Sequence, residues 1–408
     1  MGLKMAAATR RSSGALMIAG ILLVAANLRP VLTSVGPLLD QIGAETGLGA
    51  PALGLLAAVP LLAFALVSPL AQSLSERFGV ERTVFAALLV LICGTLLRPL
   101  PGSVAYLWVG TFIIGASIAV CNVLLPALLK RDFPEKVAKL TGAYSAVIGG
   151  VASLGAGLSV PLSMIRLPDG SQAGWRLALG AYVLLAIPAV LLWLPQLRRK
   201  SPDSDVARQL AAVPAPARGA VWKSAVAWQV TIYMGLQSLT FFSLVTWLPT
   251  LERSYGRSDV ASGWDLMLFQ LIGVVASLLT PLMLRGEEQR IGAAFPPALL
   301  VVAVLGVMFF PPLMLLWVLL SGLSSGSSLV VALALFGLRT GNHRQAGALS
   351  GMAQSIGYLL AAAGPPLFGA LFAVAGGWPL PLAFLALAAS AQIAVGSLVG
   401  RNRNAFAR

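Results

Sequence analysis

The sequence predicts an all-α membrane protein of twelve transmembrane helices in two six-helix pseudo-repeats, and three observations carry that prediction. The 408-residue chain is 58% hydrophobic and only 10% charged, with a mean hydropathy of +0.88; no soluble fold has enough interior to hide that much apolar surface. Apolar runs of about 18 or more residues recur along the whole chain, each long enough to cross roughly 30 Å of hydrocarbon as a helix. The 28 lysines and arginines are distributed unevenly. Most fall in segments on the side that holds both termini. Arg98, Arg166, Arg176, Arg253 and Arg257 fall on the other side, and Arg29 lies inside a span. That asymmetry predicts a multi-pass bacterial inner-membrane protein with both termini cytoplasmic. It also assigns the net charge of +14 to anionic lipid rather than nucleic acid.

The first span, about residues 15–39, follows Lys4, Arg10 and Arg11, a start like that of a cleavable signal peptide. The apolar run resumes after Asn27-Leu28-Arg29-Pro30 and reaches Leu39, so it reads as a full span. Further spans follow at about 51–72, 83–100, 104–129, 139–165 and 174–195. Gln196 to Lys223 is the longest polar interruption; it carries Arg198-Arg199-Lys200, Ser-Pro-Asp and Pro-Ala-Pro, the composition of a flexible linker. Spans 7 to 12 then fall at about 224–249, 261–285, 291–310, 313–338, 346–374 and 379–400. The expected organisation is an N-terminal bundle over 1–195, a cytoplasmic linker over 196–223 and a C-terminal bundle over 224–408. Leu140-Thr141-Gly142-Ala143 opening span 5 matches Leu349-Ser350-Gly351-Met352 opening span 11, an internal repeat of the two halves. Cys93 and Cys121 both fall in apolar spans and read as small core residues without disulfide or metal partners.

Two stretches carry a family resemblance. Gln72-Ser73-Leu74-Ser75-Glu76-Arg77-Phe78-Gly79-Val80-Glu81-Arg82, between spans 2 and 3, resembles the major facilitator motif G-x-L-a-D-R-x-G-r-k-R, with Glu76 in place of the acid and Gln72 in place of the first glycine. Asn27 to Leu39 of span 1 resembles the cyanate transporter and 2-nitroimidazole transporter branch of that superfamily. Pro126-Ala127-Leu128-Leu129-Lys130-Arg131, Trp247-Leu248-Pro249 and Met352-Ala353-Gln354-Ser355-Ile356-Gly357 extend the likeness over nearly the whole chain. The resemblance implies the major facilitator fold, two parallel halves rocking about a midplane site. It also implies gating roles for Glu76, Arg77, Gly79 and Arg82.

Arg29 is the candidate substrate residue. It sits about ten residues, or roughly 15 Å of helix rise, from either end of its span, and an arginine at that depth costs about 2.5–3.5 kcal/mol on insertion scales. A wet cavity would relieve that cost, and the planar fork of donors suits a small anion or a polarised acceptor; the plainer alternative is a guanidinium satisfied by helix carbonyls. Pro30 removes a helical hydrogen bond and predicts a bend beside it, with a gating role or a packing role. Asn27, Asn122, Tyr144, Gln237, Gln270 and Gln354 are the sizeable uncharged polar groups at depth. The resemblance places them on cavity-lining or neighbouring spans as substrate contacts, and interhelical hydrogen bonds are the alternative for each. Phe241, Phe242 and Trp247 wall the cavity or face lipid. Gly322 and Gly326 in span 10 either pack helices or smooth the cavity wall. The lone His343 is expected in the loop before span 11.

No acidic residue falls at mid-membrane; Asp40 and Asp265 lie near the outer ends of spans 1 and 8. Uniport, anion exchange, or proton coupling through an acid at a span end are therefore expected. A phosphate loop, a metal cluster and a nucleophile with its base are all missing, which argues against an enzyme and against any cofactor. The expected activity is secondary transport, by a monomer, of a small polar or anionic solute such as cyanate. Export of small drug-like compounds such as 2-nitroimidazoles is the alternative, and a substrate-sensing receptor without flux is the non-transport alternative.

Overall fold

The computed structural model describes residues 2–198, 220–284, 286 and 288–406. Twelve helices among them are long and apolar enough to cross a membrane: span 1 Gly14–Thr46, span 2 Ala50–Phe78, span 3 Val80–Leu97, span 4 Val104–Asp132, span 5 Lys139–Ser163, span 6 Gly174–Leu197, span 7 Ala225–Ser254, span 8 Asp259–Leu284, span 9 Arg290–Phe309, span 10 Pro311–Leu338, span 11 Gln345–Ala375 and span 12 Pro379–Val399. Among the described residues the only strand-like pairing is one isolated bridge, Arg166 with Gln172. Lipid offers no partner to a backbone N–H, so a spanning chain satisfies its own ladder as helix. Most of the linker expected over 196–223 lies outside the described residues, and His343 forms the first residue of the helix His343–Ala375 rather than part of a loop.

Within the N-terminal half, span 4 packs on spans 2 and 3; within the other half, span 10 packs on spans 8 and 9, and span 9 on span 12. Two large contacts join the halves, span 2 with span 11 and span 5 with span 8. A shift of six spans turns one of these contacts into the other, as two copies of one six-helix unit require. Gly322 and Gly326 serve this packing: a side chain at Gly322 would strike the carbonyl of Phe269, and one at Gly326 the carbonyl of Gly273 on span 8. Cys121 is buried as expected, but Cys93 is exposed. Apolar residues are as comfortable facing lipid as facing the core, so hydropathy alone does not orient them.

An even number of spans brings the chain back to the face where it starts; the opposite face is called the far face. There span 1 closes against span 7. The Gly36 backbone lies so near the carbonyl of Val245 that no Cβ fits between them. Beside it Arg253 bonds Asp40 at 2.6 Å and donates to the carbonyl of Pro37 at 3.2 Å. Asp265 pairs with Arg257 in the same region.

Span 1 is longer and more broken than the continuous 15–39 helix expected. Its first helix ends at Ala26 and a second begins at Pro30, because proline has no N–H to continue the ladder and disfavours helix at the residue before it. A second interruption follows at Ser34 and Val35, a 3-10 turn covers Gly36–Leu38, and the helix Leu39–Thr46 completes the span. The Val35 amide bonds the Leu32 carbonyl at 3.3 Å, so the Val31 carbonyl loses its usual helical donor.

Candidate functional site

The two breaks in span 1 open onto a small, partly open cavity with about 30 Å³ of free space, room for one or two water-sized groups. Spans 1, 2 and 7 supply most of the wall, the last through Phe242, Val245 and Thr246, with Leu107 and Thr111 of span 4, Arg98 and Leu179 completing it. The hydroxyl-bearing lining residues are Thr33, Thr111 and Thr246, and the charged ones are Arg29 and Arg98. No acidic residue lines it.

Arg29 stands in the gap between the two helices, where its backbone caps the one that starts at Pro30. Its own carbonyl accepts from the amides of Leu32 and Thr33 at 2.9 and 3.0 Å. The guanidinium is half-buried and lies over the Phe242 ring, 5.8 Å from the centroid. That cation–π contact places a fixed positive charge between the two halves without neutralising it. Among the described residues no carboxylate pairs with it and no hydrogen bond from its side chain is formed.

Arg98 is the cavity residue that sequence reasoning missed. It was assigned to the far-side segments, yet it is 1% exposed. Span 3 has only 18 residues beside the 33 of span 1, so its last turn ends against the broken middle of the longer helix rather than in water. There Nη1 donates to the freed Val31 carbonyl at 2.9 Å, while Nε and Nη2 are buried without any partner. The mismatch in apolar length between spans 1 and 3 is a signal in the sequence that could have found it.

The structure gathers only part of the predicted set here. Arg29 lines the cavity, and Pro30, buried beside it, packs its ring against Gly155 of span 5, where an added Cβ would meet the proline Cβ at 2.7 Å. Asn27 is turned away: its Nδ2 donates to the carbonyls of Leu23 and Leu185 at 2.8 and 3.2 Å, tying span 1 to span 6. Asn122 is half-buried outside the lining. Tyr144 is buried in the apolar core near Cys121, Tyr358 and Arg29, and is likewise outside the lining. Gln237 accepts from the hydroxyl of its neighbour Ser238 at 3.1 Å. Gln270 reaches the Ala152 carbonyl across the halves at 3.5 Å, and Gln354 donates to Ser350 at 2.7 Å. In this conformation Asn27 and Gln270 tie spans together, while Gln237 and Gln354 bond within their own helices. Phe242 walls the cavity, whereas Phe241 stacks on Phe269 and Trp247 donates to the Pro365 carbonyl at 2.9 Å.

The loop residues sit at the face that bears the termini. Gly79, at φ +86°, is the sole residue between two helices, a left-handed turn that favours glycine. Glu76 accepts from Gln72 at 3.0 Å, Arg77 lies over Phe78 at 5.3 Å, and Arg82 is exposed. The buried acid of this region is Glu81, which bonds Arg131 at the end of span 4 at 2.5 Å. A second acid missed in the sequence is Glu252 of span 7, wholly buried at the far face with neither carboxylate oxygen hydrogen-bonded. Among the described residues no cluster of three metal-ligating side chains occurs.

Comparison with known proteins gives these features a context. The profile of the Major Facilitator Superfamily matches residues 16–365. A 2-nitroimidazole transporter of Escherichia coli (strain K12) is 42% identical over 95% of this chain and 96% of its own. The cyanate transport protein CynX of the same strain is 29% identical over 91% of this chain and 94% of its own. Among solved structures, a D-xylose-proton symporter superposes with a TM-score of 0.72 at 17% identity, covering 95% of this chain and 96% of that one.

Proposed function

We propose that this chain, which belongs to the major facilitator superfamily, is a transporter that carries a small polar or anionic solute, cyanate-like in size and charge, by alternating access. The observation that carries the reading is Arg29: a fixed cation in the break of span 1, facing a cavity walled mainly by the N-terminal half and closed on one side by span 7, with no carboxylate to neutralise it. An uncompensated guanidinium at membrane depth is costly, and a bound anion removes that cost. The charge asymmetry of the loops supports an inner-membrane orientation with cytoplasmic termini, which makes the far face, where Gly36 closes on Val245, periplasmic. Rocking of the halves would then break Arg253–Asp40 and separate Gly36 from Val245, opening the cavity to the periplasm. A monomer suffices for this cycle, since both halves lie in one chain.

A second reading, export of small drug-like compounds such as 2-nitroimidazoles, is favoured by the 42% identity to a transporter of that name and by the Phe242 ring in the cavity wall. Proteoliposomes holding wild type or Arg29→Ala, given labelled cyanate and a neutral 2-nitroimidazole under imposed pH gradients, separate the two. The anion reading expects cyanate flux lost in the variant. Nitroimidazole flux that survives the substitution, without cyanate flux in either protein, selects the exporter.

A further inference from the structure

We infer that Arg98 is the second anion-holding residue of this cavity, so that the solute is a small monovalent anion with at least two acceptor atoms, gripped between Arg29 and Arg98. The inference rests on the transport reading above and names the substrate class of that same site.

Three observations converge on it. Arg98 is 1% exposed and has no carboxylate partner, yet Nε and Nη2 form no hydrogen bond. Buried donors are almost always satisfied, and a buried guanidinium left unpaired is among the costliest arrangements in a protein. Its single bond, Nη1 to the Val31 carbonyl, orients the head group and leaves one edge of the guanidinium, Nε with Nη2, unpartnered and closed off from water in the cavity wall, so that a solute reaches this fork by displacing part of that wall. Donors in that arrangement match two acceptor atoms of one anion. Finally, the cavity that both arginines line holds three threonines and no acid, among walls of leucine, valine, proline and phenylalanine. Such a wall suits an ion that sheds water easily; it disfavours a strongly hydrated dianion, whose lost solvation two guanidiniums and three hydroxyls would not restore. The free space of about 30 Å³ limits the occupant of this conformation to a few heavy atoms. Cyanate and formate are the simplest probes of that class.

A purely structural Arg98, needed only to hold the Val31 carbonyl, would give a variant that loses anionic and neutral ligands alike. The test is equilibrium binding of labelled cyanate, formate and a neutral 2-nitroimidazole to the purified full chain, for wild type, Arg98→Gln, Arg98→Lys and Arg29→Gln, with thermal unfolding measured for each. Arg98→Gln is expected to weaken cyanate and formate binding at least about tenfold, the usual effect of removing one charged hydrogen-bond donor, and to change nitroimidazole binding less than about threefold by the same scale. If Arg98→Gln does not fold, Arg98→Lys decides: it keeps the charge but not the fork, and weaker anion binding with unchanged neutral binding is expected. Anion binding undiminished in the folded variants, but lost in Arg29→Gln, overturns the role of Arg98 and leaves the transport reading standing. Equal loss of anionic and neutral ligands makes Arg98 structural. Absence of anion binding to wild type overturns both.

Discussion

Each half of the molecule buries an arginine at the end of a span, and the two are treated in opposite ways. Arg339 closes span 10 and is 1% exposed; its Nε donates to the Val399 carbonyl at 2.8 Å, its Nη2 to Gln289, and its own carbonyl accepts from Ala405 at 2.8 Å. Those bonds fasten spans 9, 10 and 12 and the tail of the chain. Arg98 closes span 3 at the same exposure, and two of its three nitrogens are idle. Burial and helix position are alike, so the difference lies in what the neighbours offer. Carbonyls and an amide meet Arg339, while a cavity meets Arg98. A satisfied buried arginine belongs to the scaffold; an unsatisfied one is held ready for a ligand.

The largest effect expected from breaking this comparison is on the scaffold side. Arg339→Ala leaves the Val399 carbonyl and Gln289 without their donor and should cost about 3–5 kcal/mol, read as a large drop in thermal unfolding temperature. Gly36→Val comes next: forcing a side chain into the contact with Val245 should cost about 1–3 kcal/mol in the conformation closed at the far face. It should expose a cysteine placed at that face to thiol reagents in a larger fraction of molecules; unchanged labelling would remove Gly36 from the gate. Arg98→Gln should cost only about 1 kcal/mol of stability, one hydrogen bond lost against two idle donors removed. A loss as large as that of Arg339→Ala would erase the distinction between the two arginines. The smallest effect belongs to Asp40→Asn, whose half-exposed pair with Arg253 should contribute no more than about 1 kcal/mol, detectable in the rate of far-face opening before it is detectable in stability.

The two ends of span 1 show how much of this was legible. Its start, its apolar length and the disruptive effect of Pro30 were visible in the residues, because a missing backbone N–H acts locally. The second break at Ser34 and Val35 was equally local, since Pro37 follows it within the turn Gly36–Leu38, but it was not read from the residues; the continuation to Thr46 was not visible either, because the polar residues after Leu39 do not read as part of an apolar run. The polar residues divide in the same way. Arg29 was conspicuous because a charge at depth demands compensation wherever it points. The amides could not be sorted, since an asparagine or glutamine bonds a helix carbonyl as readily as a solute, and Asn27 and Gln270 proved to bond carbonyls of other spans. Glu76 was conspicuous for its motif position, but the buried partner of Arg131 is Glu81, five residues on, because the helix of span 3 turns that carboxylate towards span 4.

What the sequence determined by itself is the set of properties that lipid imposes on any chain: twelve spans, their approximate limits, the paired halves and the isolated charge at position 29. These depend on transfer of residues from water to hydrocarbon and on backbone ladders that close within one helix. The tertiary structure placed Arg98, counted with the far-side charges, against the cavity that Arg29 lines. It also decided that the glycines of span 10 pack against span 8 and that Gly36 meets Val245 at the far face. Those outcomes turn on which helix ends at whose depth and which face it presents. No local propensity encodes either, because in lipid an apolar residue gains as little by facing a neighbouring helix as by facing the bilayer.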